Sequence, residues 1–255
     1  MRLSNTIISL AAGAALFCSA GAQADGLSDL KAALNRLQGQ TPLKATLEIH
    51  RMSRQGEGKE LEENQGKASV SLEDGARGLQ VLYARDLLQR AEAEEKAKEK
   101  DAKAKTPTLS ALKDISAGEL RPMISAASHL ARKMEKAIFK GEKAQDYNGK
   151  PARLLTFEVP LDSIPQKDRK YIKKFEGSLD IWIAADGTPL ASHSKDNVSG
   201  RAFVVISFES KSEDQSVYSV AGERLITLRK DSKSSGSGAG EKGESHTVKT
   251  LNLQS

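Results

Sequence analysis

Between Leu43 and Ile49 the chain alternates without a break, with Leu43, Ala45, Leu47 and Ile49 set against Lys44, Thr46, Glu48 and His50. A period of two places the first set on one face of an extended strand and the second on the other. One wet face and one buried face mark an antiparallel sheet, because parallel strands are normally covered on both sides. The alternation returns at Ala68, Val70 and Leu72. After the Asp74-Gly75 hairpin signal it returns at Leu79, Val81 and Tyr83. Further strands are predicted at Arg153–Val159, Gly177–Ala184, Leu190–Ser194, Ala202–Glu209, Ser216–Val220, Arg224–Arg229 and Thr247–Leu253. The Asp186-Gly187 pair turns one of these strands into the next.

Helical spacing interrupts the strands in three places. Leucines at 27, 30, 34 and 37 form one stripe, with Asp25 or Ser28 as cap and Gly39 as stop. From Arg85 to Lys105 seven basic and six acidic residues lie among alanines, which reads as a solvated helix or a charged extension. Thr106-Pro107 ends it. Leu109 to about Phe139 is helical in pattern, and Gly118 and Pro122 are expected to divide it into two helices. A short basic helix is expected after Asp162 or Ser163. The Gly/Ser-rich run 231–244 reads as a flexible loop, since six of the eight residues from Ser232 to Ala239 are Gly or Ser. The expected class is α+β, with helices covering one face of a strongly bent, mostly antiparallel sheet. Residues 25–255 form one domain, with a charged helical insertion over 85–140. An outer-membrane barrel would need aromatic girdles at both interfaces, and eleven aromatic residues in 255 do not supply them.

The N-terminus reads as an export signal. Arg2 supplies the positive charge, Ile7 to Ser19 the apolar region, and Ala22-Gln23-Ala24 the small-x-small cleavage pattern. Cys18 raises the lipoprotein alternative, but Phe17 precedes it where a small residue would be needed. Cleavage after Ala24 removes the single cysteine, so the exported chain must rely on its core without disulfides. The expected location is the periplasm. With 39 basic and 34 acidic residues interspersed, a dedicated nucleic-acid binder is not expected.

Motifs for chemistry are sparse. His50, His129, His193 and His246 lie far apart, without the spacing of a zinc site. Neither a Gly-x-Ser-x-Gly elbow, a P-loop nor a dinucleotide fingerprint occurs. The expectation is a non-enzyme without metal or cofactor. Two clusters exceed background. Lys167, Arg169, Lys170, Lys173 and Lys174 fall within eight residues and could meet anionic headgroups or an acidic partner, or form a solvated helix face. Met123, Ile124, Leu130, Met134 and Ile138 lie among alanines and could form a lid over an apolar ligand, or pack as ordinary core.

The run Gly177-Ser-Leu-Asp-Ile-Trp-Ile-Ala-Ala-Asp-Gly-Thr-Pro-Leu190 resembles the central hairpin of the periplasmic lipoprotein-carrier (LolA/LolB-like) superfamily. Tyr218-Ser-Val-Ala-Gly-Glu-Arg-Leu-Ile226 resembles a later segment, and the Leu27–Leu37 helix followed by a long strand fits the same layout. The resemblance covers about half of the exported chain, leaving Arg85–Lys105 and the Gly/Ser run outside it. It implies an unclosed half-barrel whose concave apolar face, covered by helices, holds acyl chains. The ligand-lining positions expected on this basis are Leu47, Ile49, Val70, Leu72, Val81, Ile181, Ile183, Val204 and Ile206 from strands, with Met123, Leu130 and Met134 from the lid. The expected partner is a lipid or lipoprotein acyl chain, with peripheral membrane contact at most. The alternative is an envelope protein-interaction module without a cavity, and an unrecognised hydrolase ranks below it. N-terminal sequencing of exported protein should return Asp25 as the first residue, and an acylated Cys18 recovered with membranes would overturn the cleavage assignment.

Overall fold

The computed structural model describes residues 25–202 and 206–254. Helix α1 (Gly26–Arg36) starts where Asp25 accepts a hydrogen bond from the Leu27 amide at 3.1 Å, and it buries Leu30, Ala33 and Leu34. The expected stripe is thus the packed one. Strands β1 (Leu43–Gln55), β2 (Glu62–Gly75) and β3 (Gly78–Leu82) follow as an antiparallel meander. In β1 the residues Leu43, Ala45, Leu47 and Ile49 are buried, as the alternation requires.

Helix α2 (Arg85–Lys100) is the charged segment, and it buries only Leu87 and Ala91. Its Glu94 carboxylate accepts the Thr108 and Leu109 amides, both at 2.9 Å, and so caps α3 (Pro107–Leu112) from a neighbouring helix. Helices α4 (Ala117–Ile124) and α5 (Ala126–Met134) meet at Ser125. The expected break positions are corrected here. Gly118 and Pro122 both lie inside α4, and the chain breaks at 113–116 and at Ser125. The helical pattern also ends sooner than expected, because Ile138–Ala144 is strand β4.

Strand β5 (Arg153–Val159) pairs with β4, and the short helix α6 (Gln166–Arg169) precedes β6 (Ile172–Ile183). Long strands complete the sheet: β7 (Pro189–Ala202), β8 (Ile206–Ala221), β9 (Arg224–Gly238) and β10 (Glu241–Leu253). The segment expected as a flexible loop, 231–244, instead forms the ends of β9 and β10 and the tight turn between them. Ser232 to Gly238 are laddered to β8 on one side and to β10 on the other. Two neighbouring strands satisfy every ladder group of a run whose side chains bury little, and composition alone does not report that pairing. Ser216–Val220 likewise belongs to one continuous strand, β8.

The ten strands form one antiparallel sheet in the order β3-β2-β1-β10-β9-β8-β7-β6-β5-β4. Neighbours in space are neighbours in sequence except at β1–β10, where the last strand returns beside the first. The sheet does not close, and β3 and β4 are its free edges. One edge strand is five residues long and the other carries Lys140, Gly141 and Lys143, features that discourage further strand addition.

Helices pack on the face that carries Ile49 and Ile181, in two separate apolar clusters. In the first, Leu47, Ile49, Val70 and Leu72 meet Leu87, Leu120, Met123 and Ile124. In the second, Leu30, Leu34, Ala127 and Leu130 meet Leu155, Phe157, Leu179, Ile181 and Ile183. Gly66 permits the close approach of α3 to β2, since a Cβ there would stand 2.6 Å from the Pro107 carbonyl oxygen. Amides of 231–238 should show slow hydrogen exchange, in keeping with ladder pairing. Exchange at the rate of an unstructured chain would contradict the paired strand.

Candidate functional site

Between the two clusters the helix-side face of the sheet turns polar. One cross-strand row runs Ile49, Lys249, Lys230, Ser216, Ser192, Ile181, beginning in one core and ending in the other. The next row on that face runs Arg51, Thr247, Ser232, Asp214, Ser194, Leu179. Most of these polar side chains have partners. Lys249, with a side chain 4% exposed, donates to Glu119 of α4 at 2.6 Å. That bond holds the Glu119 carboxyl below its ordinary range. Arg51 pairs with Asp114 at 3.0 Å, Ser232 donates to Asp214 at 2.5 Å, and Ser192 and Tyr218 share a bond of 2.7 Å. Burial pushes the Tyr218 phenol up.

The end of α5 adds His129 and Lys133. Burial pushes His129 down to about 4, helped by the positive charges of Lys133, Lys230 and Arg132, while Asp214 acts the other way. Burial also lowers Lys133, whose ammonium donates to Ser194 Oγ at 3.4 Å, with Asp214 and Asp196 opposing the shift. Asp196 is raised, chiefly by burial. The Lys133–Ser194 contact links α5 to the sheet.

On the opposite face, beyond the helices, lies a cleft of about 550 Å³. Two further cross-strand rows line it. One is Gln65, Met52, His246, Lys233, Glu213, Lys195, and the other is Glu63, Arg54, Glu244, Ser235, Lys211, Asn197. These positions alternate with those that meet the helices, so strand geometry sends their side chains to the other side. Ion pairs cross the strands at Arg54–Glu63, 2.7 Å, and Arg54–Glu244, 3.2 Å. His193 contacts Glu213 at 2.6 Å and His246 contacts Asp231 at 2.7 Å. A second cleft of about 410 Å³ continues along the same strands past Leu61 and Lys242. Cationic and anionic side chains alternate along the first cleft, and Met52 is the large apolar residue in its lining. A mixed, exposed polar row of this kind offers hydrogen-bond donors, acceptors and charges of both signs.

The positions expected to line an apolar cavity are distributed differently. Leu47, Ile49, Val70, Leu72 and Met123 lie in the first cluster, and Leu130, Ile181 and Ile183 in the second. All eight are at most 2% exposed. Val81 and Met134 sit half-buried at the cluster margins. Ile206 is half-buried at the start of β8, opposite Ala202 and apart from both clusters. Val204 lies outside the described residues, as do residues 1–24, read as an export signal, with Cys18 among them.

The basic cluster is split between α6 and β6. Lys167, Lys170, Lys173 and Lys174 are exposed, and Lys170 stands 4.8 Å from the Tyr171 ring centroid. Arg169 is half-buried. Its Nε donates to the Ile164 carbonyl and its guanidinium to the Asp162 carbonyl, both at 2.6 Å, clasping the loop before α6.

Among the described residues no group of three or more His, Cys, Asp or Glu side chains could hold a metal ion, and no helix is long and apolar enough to cross a membrane. The residues lining the cleft escaped the sequence reading because several of them, Lys233, Ser235 and Glu244 among them, fall in the run taken for a loop. The run Ser232-Lys-Ser-Ser235 carries no apolar alternation that would have marked it as a strand. Compared with protein-family models, with curated proteins and with solved structures, the chain matches none.

His129 ties stability to pH. A base whose pKa is lower folded than unfolded binds fewer protons when folded, so its contribution is intact above the unfolded value and is lost as pH falls. Stability should therefore drop between pH 6.5 and 4. The His129→Leu variant should lose less than the parent across that window by roughly 1–2 kcal/mol in denaturant unfolding. Parallel pH profiles for the two chains would refute the assignment.

Proposed function

We propose that this chain is a non-catalytic binding protein of the cell envelope, exported after cleavage at Ala24, and that it engages a protein partner through the polar cleft on the bare face of its sheet. The observation that carries the reading is the contrast between its two kinds of surface. The apolar strand positions are filled by helices, whereas the open volume is lined by Arg54, Lys195, Lys211, Lys233, Glu213 and Glu244. Interspersed charge of both signs suits a polypeptide, which offers both signs and backbone donors and acceptors. It suits an acyl chain poorly.

A second reading, carriage of a lipid or lipoprotein acyl chain, keeps the resemblance to the lipoprotein carriers. It is favoured by the construction of the helical cover, in which α3, α4 and α5 are six, eight and nine residues long and α4 meets α5 at the single residue Ser125. Short helices jointed in this way can lift as a lid, which would bare Leu47, Ile49, Leu72 and Ile181 to a ligand. Carriage requires that movement, because those side chains are buried with the cover down.

Ile183→Phe distinguishes the two readings. In a packed core the added bulk should cost about 1–3 kcal/mol in denaturant unfolding. Under the binding-module reading, native mass spectrometry of protein isolated from the periplasm should also show no bound lipid. Unchanged stability together with a co-purifying lipid that the variant loses would establish the carrier instead.

A further inference from the structure

A third cleft, of about 390 Å³, lies on the helix side, away from the polar groove. Its walls come from the chain entering β1, from the β2–β3 turn and from the junction of α4 with α5. Arg224, at the start of β9, lines it. This side chain is 4% exposed. Its Nη2 pairs with Asp74 at 2.8 Å and its Nε reaches the Gly39 carbonyl at 3.5 Å. Its Nη1 is buried and has no hydrogen-bond partner. A buried guanidinium N–H left unpaired costs free energy that an acceptor arriving beside it would recover.

Two further features of the same cleft favour an anionic acceptor. Ser125 stands at the N-cap of α5 but makes no side-chain capping bond, and the following Ala127 and Ser128 line the cleft. The first amides of a helix have no intrahelical partner, and the helix dipole gives that end partial positive charge. Arg121 of α4 also lines the cleft, is exposed, and makes no ion pair among the described residues. The formal charge of the walls is therefore two arginines against Asp74, reinforced by the open end of α5.

We infer that this cleft binds the oxyanion group of a small molecule, a phosphate or a carboxylate, held between Arg121, Arg224 and the first amides of α5. Arg121 supplies the reachable charge, Arg224 the buried donor, and the helix end the directional N–H groups. The site draws on none of the residues of the polar groove, so it can be tested independently of the proposed partner surface.

The test titrates the full exported chain at low ionic strength with inorganic phosphate and, separately, with succinate, following heat and the amide shifts of Ala127 and Ser128. Saturable binding of at least one anion with shifts at those two amides is expected, and the anion that binds identifies the group. Arg121→Gln, at an exposed position, should weaken that binding by about tenfold or more. Arg77→Gln, on the β2–β3 turn but outside the cleft lining, should leave it within about twofold. Arg224→Lys keeps a positive charge beside Asp74 while removing the forked guanidinium, and it should also weaken binding. The inference fails if neither anion gives saturable heat with shifts at Ala127 and Ser128. It fails equally if Arg77→Gln weakens binding as much as Arg121→Gln, which would mark diffuse attraction to a basic surface.

Discussion

The ladder between β1 and β10 is the interaction on which the rest of the sheet depends. It runs from Ala45 opposite Leu253 to Gln55 opposite Gly243, and it is the only junction in the sheet between strands distant in sequence. All other neighbours are joined by local connections or, at β5–β6, by a short excursion through α6. Without it the three N-terminal strands and the seven C-terminal ones would be two separate meanders. With it, Leu47 and Leu251 stand side by side in the first core, and β10 becomes an interior strand, paired with β1 on one side and β9 on the other. The entropy of bringing residues some two hundred positions apart together grows only slowly with that separation, so a long ladder between long strands readily offsets it.

Joining the two meanders creates a difficulty that the structure resolves electrostatically. The central strands β7 to β10 carry Lys249, Lys230, Asp214, Ser216 and Ser194 on the face where the helices lie. A helix laid over unpaired charge would be strongly disfavoured. Partners therefore come from the helices themselves, Glu119 for Lys249 and Lys133 for Ser194, and from neighbouring strands, as Ser232 does for Asp214. The helical layer is consequently not a single apolar lid. It is pinned over an apolar cluster on each side and over a polar seam in the middle, and the seam sets how α4 and α5 sit on the sheet.

The same division shapes the functional surfaces. Apolar faces in this molecule are already matched by helices, and open volume occurs where strands run past them, lined by alternating charge, or where helix ends meet loops over Arg224. The proposed binding through polar contacts rests on that distribution, and acyl-chain carriage would require the helices to move first. The charged helix α2 is tied to α3 by the Glu94 carboxylate on the first amides of that helix, so this charged segment is coupled to the cover of the first core.

Local periodicity determined a large part of the architecture. The alternation at Leu43–Ile49, Ala68–Leu72 and Leu179–Ile183 specified strands and named the buried side, because side-chain direction along a strand depends only on position parity. The leucine stripe of α1 and its Asp25 cap were legible for the same reason, being contained within one short contiguous segment. Tertiary structure decided what local pattern cannot carry. Ser232–Gly238 has the composition of a loop and is a strand because β8 and β10 pair with it on both sides, and Ile138 and Phe139 end a helical pattern yet open a strand that pairs with β5. That the Arg169 guanidinium of the basic cluster also reaches two backbone carbonyls is visible only in the folded chain. The polar cleft depends on residues from six strands, Gln65 to Lys195, whose meeting in one row is set by hydrogen-bond register between strands, a quantity that no single segment of the sequence contains.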